Sequence, residues 1–388
     1  MGVIRMSKLN ELIHKLCPDG VEYKKIKDVF QRLRGTPITA GKMKEIESSD
    51  GDIRVFAGGK TVINAKEEDI PNANIIRVPA VLVQSRGVID VVYYEKPFTF
   101  KNEMWAYTSD NKIAVKFLYY VLKNNIQKFR DAAAGMGSLP QISLPVTEEF
   151  EVPVPPLPVQ SEIVRILDNF TELTAELTAE LTAELTARKK QYGYYRDFLY
   201  TADDADVEWT TLDRISENCD RQRKPVTKGN RVSGKYPYYG ASGIVDYVED
   251  YIFDGDFLLV SEDGANLLAR STPIAFSISG KNWVNNHAHV LKFDTYELRR
   301  YVEIYLNSID LSKYISGGAQ PKLNQENLNK IPIPVPSPKR VKYMVSILDR
   351  FDTLCHDISE GLPAEIEARQ KQYEYYRDKL LTFGEVNV

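Results

Sequence analysis

An internal duplication constrains this chain of 388 residues more than any other feature of its sequence. The segment at 166–170 recurs at 347–351, and the segment at 191–197 recurs at 372–378, both at an offset of 181 residues. The stretch between the two repeated segments therefore has the same length in both halves, although its sequence differs. Because internal repeats determine architecture, the pattern predicts two similar halves, each with a globular part followed by a long helix.

The tetrapeptide Thr-Ala-Glu-Leu occurs three times in succession at 174–185, which predicts a helix. Alanine, glutamate and leucine favour helices, and leucine recurs at every fourth position instead of alternating as in a strand. A four-residue period advances about 40° beyond each turn, so we expect the leucine stripe to wind around the helix. The prediction is a helix from about 160 to 199, roughly 60 Å long. In the second half, Gly361, Leu362 and Pro363 predict a break or kink.

The fold class predicted from these patterns is α+β. Two variable globular domains of mixed helix and strand would be separated by two long helices that pack as an antiparallel coiled coil. The domain boundaries are placed at 1–150 and 201–330 for the globular domains, and at 151–200 and 331–388 for the helices. Strands are expected at 80–83, 91–94 and 257–260, and helices at 115–129 and 296–307.

Composition excludes several classes of protein. No apolar run reaches membrane-spanning length, and the first ten residues lack a signal-peptide core, so we expect a cytoplasmic protein. Three separated cysteines form no Cys-x-x-Cys pair, which favours reduced thiols. The formal net charge of −4 argues against a lone protein that coats nucleic acid through charge alone, and a partner would supply the missing cations.

Glycine-rich turns with Arg, Lys, Asn, Gln, Tyr or His recur at matching places in both halves. Such side chains read base edges when loops present them, and glycine lets the backbone approach phosphate closely. The DNA-binding candidates in the first half are Lys60, Gln84, Arg86, Lys101, Asn102, Ser138 and Gln141. Those in the second half are Tyr238, Tyr239, Ser242, Asn266, Asn285, Asn286, His287, Gln320 and Lys322. Each turn taken alone is also explained by ordinary loop geometry.

Signatures of catalysis are missing from the sequence. It contains neither a phosphate-binding Gly-x-x-x-x-Gly-Lys-Ser/Thr loop nor a Gly-x-Gly-x-x-Gly fingerprint. No Asn/Asp-Pro-Pro-aromatic motif of an adenine methyltransferase occurs. His287 and His289 could share one strand face, but no third ligand is indicated, so we predict no metal site. The pattern is typical of a protein that recognises its target without chemistry of its own.

These motifs together resemble the specificity subunit of type I restriction–modification systems. The resemblance rests on the Thr-Ala-Glu-Leu array, the paired Gln-Tyr-x-Tyr-Tyr-Arg-Asp segments, the Val/Ile-Pro-Val-Pro segments that precede each helix, and the tyrosine-rich run at 236–243. It implies two target recognition domains, each binding one half of a split, asymmetric double-stranded DNA site, with two long helices that the family shares setting the distance between them. The first half departs from the tyrosine motif, with Val-Phe-Ala-Gly-Gly-Lys at 55–60.

The resemblance also implies partners. Two modification subunits would carry S-adenosylmethionine and methylate adenine, and up to two restriction subunits would use ATP and Mg²⁺. No cofactor is expected in this chain itself. The candidate partner-binding residues are Tyr192, Tyr195, Arg196, Tyr373, Tyr376 and Arg377.

Two other classes of protein stay open from the residues alone. A coiled-coil scaffold whose globular parts bind proteins would show no sequence-dependent DNA binding. An enzyme of unrecognised type is weakened, though not excluded, by the missing motifs.

Overall fold

The computed structural model describes residues 2–59, 61–133, 140–201, 207–318, 320–356 and 361–385, with side chains from residue 8 onward. The α-helices are α1 Gly2–Leu16, α2 Ile26–Val29, α3 Ala40–Ile46, α4 Lys112–Asn124, α5 Ile126–Ala132, α6 Leu144–Glu148, α7 Leu157–Thr201, α8 Leu212–Ile215, α9 Asn266–Ala269, α10 Tyr296–Ser308, α11 Gln325–Asn329, α12 Pro338–His356 and α13 Leu362–Leu381. In the first half of the chain the strands are β1 Tyr23–Lys25, β2 Gln31–Leu33, β3 Ile53–Phe56, β4 Val62–Ala65, β5 Ala80–Gln84, β6 Asp90–Tyr94, β7 Phe98–Phe100, β8 Trp105–Thr108 and β9 Glu151–Pro153. In the second half they are β10 Glu208–Thr211, β11 Glu217–Asn218, β12 Ser233–Gly240, β13 Gly243–Val248, β14 Phe253–Asp254, β15 Phe257–Ser261, β16 Ala275–Ile278, β17 Lys281–Val284, β18 Ala288–Lys292 and β19 Pro332–Val335.

The chain divides into two compact units. The first unit comprises residues 1–180 together with 366–388, and the second comprises 181–365. Helix α7 therefore contributes its first part to one unit and its last part to the other, and the boundary after residue 180 falls inside the Thr-Ala-Glu-Leu array. Among the described residues, no helix combines the length and apolar character needed to cross a membrane.

The first unit contains a four-stranded sheet in the order β2-β8-β5-β6 and a three-stranded sheet in the order β4-β3-β7. Strands β3 and β7 run parallel, whereas β5 is antiparallel to both of its neighbours. Every residue of β5 is buried, which explains its continuous apolar run in place of strand alternation. Helix α4 buries Val115, Leu118 and Leu122 in the same core as Val81 and Val83 of this strand.

The second unit repeats this topology. Its sheets have the orders β11-β18-β15-β16 and β13-β12-β17-β14, with β12 and β17 parallel and β15 buried throughout. The proline-rich segments that precede the long helices also match, since β9 pairs with β1 and β19 pairs with β10, both antiparallel. The duplication read from the sequence is therefore a duplication of fold.

Within each unit, part of α7 packs against a returning helix. In the first unit the rings of Phe170 and Tyr376 lie 5.9 Å apart, and the hydroxyls of Thr171 and Tyr373 lie 3.0 Å apart. Residue numbers rise along α7 as they fall along α13, so the two helices are antiparallel, as predicted.

The second unit has the equivalent packing between α7 and α12. Tyr195 stacks on Phe351 with ring centroids 5.6 Å apart, and Tyr192 meets His356 at 6.3 Å. Gly361 lies outside a helix and α13 begins at Leu362, which confirms the predicted break near Pro363.

The leucine stripe of the Thr-Ala-Glu-Leu array is only partly covered. Leu173 is 59% exposed, and Leu177, Leu181 and Leu185 are only half-buried. The reason is geometric, because a stripe that winds by about 40° per repeat leaves the face of a single partner helix within a few repeats.

An aspartate from the duplicated Ile-Leu-Asp segment anchors each globular part to its long helix. Asp168 accepts hydrogen bonds from Lys116 Nζ at 2.8 Å and from the Tyr120 hydroxyl at 2.6 Å, both on α4. Asp349 accepts equivalent bonds from Arg300 Nε at 2.8 Å and from the Tyr296 hydroxyl at 2.7 Å, both on α10. The duplicated aspartate thus joins a domain helix to a long helix in both units.

Candidate nucleic-acid interface

In the first unit, the glycine-rich turns singled out in the sequence meet in space. We call this set the first loop cluster; it comprises residues 58–59, 84–87, 101–103 and 140–142. The Gly59 amide donates to the Arg86 carbonyl at 3.0 Å, and the Gly87 amide donates to the Pro140 carbonyl at 2.8 Å. Four segments far apart in sequence therefore form one surface.

The second unit forms an equivalent second loop cluster, comprising residues 239–242, 262–266, 285–287 and the described residues of 318–323. The Asn285 amide donates to the Tyr239 carbonyl at 3.1 Å, and the Gly264 amide donates to the Pro321 carbonyl at 3.1 Å. The latter bond matches the one between Gly87 and Pro140 in the first cluster. Similar backbone frameworks thus carry both clusters.

The side chains on the matching frameworks differ in charge. An isolated antiparallel bridge joins Arg86 to Gln141 in the first cluster, and the matching bridge joins Asp263 to Lys322 in the second. Arg86, Gln141 and Lys322 are exposed. An arginine and an amide thus occupy places that an aspartate and a lysine occupy in the other unit.

The turns that precede β8 and β18 differ as well. Lys101 Nζ lies 2.9 Å from Glu103 Oε1. Burial alone would raise the pKa of the Glu103 carboxyl, but the hydrogen bond and charge of Lys101, together with backbone hydrogen bonds that include the Gly58 amide, lower that pKa. In the second cluster His287 Nδ1 lies 2.8 Å from Asp263 Oδ2. The two surfaces therefore offer different donors and acceptors to a ligand.

The structure separates the DNA-binding candidates by exposure. The exposed ones are Arg86, Asn102, Gln141, Ser242, Asn286, His287, Gln320 and Lys322, and the half-buried ones are Lys101, Tyr239 and Asn266. The Asn266 amide is already bonded within its own loop, because its nitrogen donates to the Thr272 carbonyl and its oxygen accepts from Ser271. Lys60 and Ser138 lie outside the described residues.

Three candidates lie inside the fold, so their assignment as direct DNA contacts is corrected. Gln84 is 5% exposed, Tyr238 is 1% exposed and Asn285 is 6% exposed. The Tyr238 hydroxyl accepts from the Val226 amide at 2.9 Å, and the Asn285 oxygen accepts from the His287 amide at 2.8 Å. Tyr238 and Asn285 hold loops in place, because their polar atoms already have partners beneath the surface.

Beneath the second cluster lies an ion network that the sequence did not reveal. His289 places Nδ1 2.6 Å from Asp220 Oδ2 and Nε2 2.7 Å from the Leu323 carbonyl. Arg223 reaches Glu262 at 2.6 Å and Asp220 at 3.3 Å. Burial acts to raise the pKa of both carboxyls, but other interactions outweigh it and both pKa values are lowered. The hydrogen bond with His289 is the largest of these interactions for Asp220, and the hydrogen bond with Arg223 is the largest for Glu262.

Ligand atoms of Asp220, Glu262 and His289 lie within 4.8 Å of one another, close enough in principle to hold a metal ion. The Arg223 guanidinium donates into this group and supplies its positive charge, so ion pairs account for the arrangement. The network ties the segments before and after the loop cluster together. Sequence separation hid it, since its members come from three distant segments.

A basic segment next to each loop cluster was also missed in the sequence reading. Residues 221–245 include six Lys or Arg and no Asp or Glu, and residues 29–44 include four and none, in a chain of net charge −4. The segment at 221–245 follows β11, and the segment at 29–44 contains β2; these two strands lie at corresponding edges of the two four-stranded sheets. Counting acidic residues in a sliding window along the sequence would have identified both segments.

The candidate partner-binding side chains on the long helices contribute to packing within the units. Tyr192 and Tyr195 contact Phe351, and burial raises the pKa of Tyr192 to about 12. Tyr373 and Tyr376 contact α7, as described above. Arg377 donates to Asn124 Oδ1 at 2.8 Å.

Arg196 bonds to the neighbouring Asp197, with Nε 2.8 Å from Oδ1.

The aromatic side chains that are most exposed on the long helices are not among the candidates predicted from the sequence, but lie next to them in the chain. Tyr194 is 66% exposed and stacks on Phe198, which is 55% exposed, and Tyr375 is 62% exposed. Tyr194 and Tyr375 are related by the offset of 181 residues, so each long helical region presents an exposed tyrosine at the same position.

Comparison with known proteins agrees with this fold. The family model described as type I restriction modification DNA specificity domain matches residues 18–187 and again 206–368. The chain therefore belongs to that family and contains two copies of its domain. The two globular parts are its target recognition domains.

Among curated relatives, the Escherichia coli EcoR124I/EcoR124II specificity subunit is 35% identical over 299 residues, covering 71% of this chain and 72% of the relative. A putative type I restriction enzyme specificity subunit from Haemophilus influenzae is 39% identical over 187 residues, covering 47% of this chain and 48% of the relative. That alignment thus spans about half the length of the Haemophilus protein.

Two solved structures share the fold at low identity. A chain from a study of complex assembly and conformational transition of the type I restriction–modification system gives a TM-score of 0.62 at 12% identity, covering 94% of this chain and 98% of that one. The specificity subunit from Mycoplasma genitalium gives a TM-score of 0.51 at 18% identity, covering 93% and 96%.

Proposed function

We propose that this chain recognises a bipartite, asymmetric DNA sequence, with one target recognition domain for each half-site. The observation that carries the proposal is the pair of loop clusters, which share a backbone framework and differ in their exposed side chains. Base edges in the major groove present distinct patterns of donors and acceptors, so different side chains on one framework would select different bases. Because one chain supplies both domains, two-fold symmetry of the site is not required, in contrast to a homodimer.

The basic segments at 29–44 and 221–245 would contact phosphates. Such contacts set the position of a protein on the duplex without reading sequence. Lys224, Lys228 and Lys235 are exposed on the second segment. Concentrating cations beside the loop clusters reconciles DNA binding with a net charge of −4.

The long helices would act as a ruler for the unread spacer between the half-sites. Helix α7 has 45 residues, which corresponds to roughly 67 Å at about 1.5 Å per residue. The Asp168 and Asp349 anchors support this role, because each fastens a recognition domain to a long helix. Changes in helix length would then be transmitted to the domains.

The chemistry would reside in partners. Two modification subunits would methylate adenine with S-adenosylmethionine, and up to two restriction subunits would use ATP and Mg²⁺, while this chain would have no catalytic role. The repeated helical regions offer two similar docking surfaces, which suits two copies of one modification subunit. We place these surfaces around Tyr194 with Phe198 and around Tyr375, beside the candidates named from the sequence.

The test is selection from a randomised duplex pool by this chain co-expressed with its modification subunit. We expect a bipartite asymmetric motif with a fixed gap. Reciprocal exchanges sharpen the test: Gln141→Lys should change the first half-site only, and Lys322→Gln should change the second only. Lys330→Gln, an exposed lysine paired with Glu326 outside both clusters, serves as the matched control.

No enrichment from a well-folded complex would refute the proposal and favour the protein-binding scaffold. A motif unchanged by both exchanges would show that the loop clusters are not the reading surfaces.

A further inference from the structure

An exposed apolar pair lies at the edge of the second loop cluster. Ile244 is 47% exposed and Val245 is 56% exposed, and they follow each other on β13. In a regular strand, successive side chains point to opposite faces. Here the pairing shifts, because Tyr238 is opposite Asp246 while Tyr239 is opposite Ile244. Val245 therefore occupies a β-bulge, a feature that redirects side chains.

The apolar pair is continuous with the loops that would read bases. A Cβ atom added to Gly240 would lie 3.1 Å from Val245 Cγ1 and 3.5 Å from Asn285 Nδ2. Gly240 thus lies between Val245 and the side-chain amide of Asn285, whose oxygen accepts the hydrogen bond from the His287 amide. Ser242, a candidate contact, lies in the turn between β12 and β13.

Cations outnumber acidic residues along the chain that leads to this pair. The segment at 221–245, which ends with Ile244 and Val245, contains six Lys or Arg and no acidic residue, and the next residue, Asp246, is paired with Arg231 at 3.1 Å. A partner that presents negative charge beside small apolar groups would suit this combination. The major groove of DNA does both, since phosphates flank it and each thymine places a C5 methyl group in it.

The first unit lacks this feature. Phe56 on β3 is opposite Val62 on β4, just as Tyr239 is opposite Ile244, but the β3–β4 register runs without a shift. Val62 is half-buried against its own core. Any contact made by the apolar pair is therefore specific to the second domain.

We propose that Ile244 and Val245 contact thymine C5 methyl groups in the half-site read by the second domain. The inference rests on the proposed function and names a substrate group for one of its two reading surfaces. It requires at least one thymine in that half-site.

The experiment uses the complex with the modification subunit and the duplex selected from the pool. Deoxyuridine replaces thymidine in one half-site at a time, which removes the methyl group and leaves every hydrogen-bonding atom. We expect affinity, measured by fluorescence anisotropy, to fall about two- to fourfold per thymine in the second half-site, as burial of one carbon implies. Substitution in the first half-site should change affinity less.

Variants then assign the effect to the pair. The double variant Ile244→Ser with Val245→Ser should bind the thymidine and deoxyuridine duplexes equally. Val78→Ser, which alters a similarly exposed valine of the first unit (45% exposed), should discriminate between them as the parent chain does. Both replacements are at exposed positions, and thermal unfolding of each variant checks its fold.

Three outcomes would overturn the inference while leaving the proposed function intact. They are equal binding of both duplexes by the parent chain, a second half-site without thymine, and loss of the modification subunit by the double variant, which would make the patch a protein contact. Failure of the pool to yield any motif would instead remove the proposed function and this inference together.

Discussion

Deleting one Thr-Ala-Glu-Leu unit, residues 178–181, should change the length of the unread spacer and leave both half-sites unchanged. Four residues correspond to about 6 Å of helix, whereas base pairs lie about 3.4 Å apart, so translation alone predicts a shift of about two base pairs. The same deletion rotates one part of the helix against the other by about 40°. DNA turns roughly 35° per base pair, from about 10 base pairs per turn, so rotation alone predicts a shift of about one base pair in the spacer.

The structure explains why the deletion should be tolerated. The packed pairs Phe170–Tyr376 and Tyr192–His356 lie on either side of the array, in different units. A deletion between these two pairs removes neither set of contacts.

The assay is pool selection with the modification subunit present, followed by sequencing. The spacer should shorten by one or two base pairs on deletion and lengthen by the same amount on insertion of a fourth unit. Thr178→Ala, which keeps the length, should leave the spacer as it is. Altered half-site sequences with an unchanged spacer would refute the ruler, as would a spacer that shifts in the length-preserving control.

Four further predictions concern single positions. Asp168→Asn should lower the free energy of unfolding in urea by about 1 kcal/mol, because it weakens a part-exposed ion pair and a hydrogen bond to α4; an unchanged midpoint would contradict the anchor. Gly35→Ala should lower the melting temperature, since its methyl group would overlap a backbone carbonyl of β7, whereas Gly41→Ala, with open space around it, should not. The lowered pKa of Glu262 means that its stabilisation is present above its unfolded pKa of about 4.3 and lost as pH falls through the lower folded value; tryptophan fluorescence should report loosening only in that acid range. Lys228→Ala should weaken binding to all duplexes alike and reduce the slope of log affinity against log salt by about one, and a change in the selected motif would argue against a phosphate contact.

Local patterns in the sequence predicted the regular elements well. The expected helix at 160–199 is found as Leu157–Thr201, and the expected helix at 296–307 as Tyr296–Ser308. The helix expected at 115–129 is present as α4 and α5 with a break at Asn125. These successes share a cause, because helical periodicity and strand-length apolar runs depend on residues near one another in the chain. The sequence showed only that the glycine-rich turns recur in both halves. The structure shows that the turns of each half lie together in one loop cluster.

Long-range packing was not accessible to the same reasoning. Tyr238 belongs to the tyrosine-rich run that suggested a DNA contact, yet its ring is covered and its hydroxyl bonds to Val226. Arg223 and His289 form a network whose members are distant in sequence. Tyr192 and Tyr194 belong to the same sequence motif, and only packing against α12 distinguishes the covered ring of Tyr192 from the exposed ring of Tyr194.

The membership of residues 366–388 in the first unit has a consequence for synthesis of the protein. Domains generally fold as units, with the N-terminal one first as the chain leaves the ribosome. Here the second unit, 181–365, is fully synthesised before the last segment of the first unit exists. Until then the α7 face around Phe170 and Leu177 lacks its α13 partner, and Val21 lacks the Gly384 carbonyl that its amide bonds to at 2.9 Å. The unit that contains residues 1–180 is thus completed after the unit at 181–365, so a stop codon that removes residues 366–388 would damage the unit whose larger part is translated first.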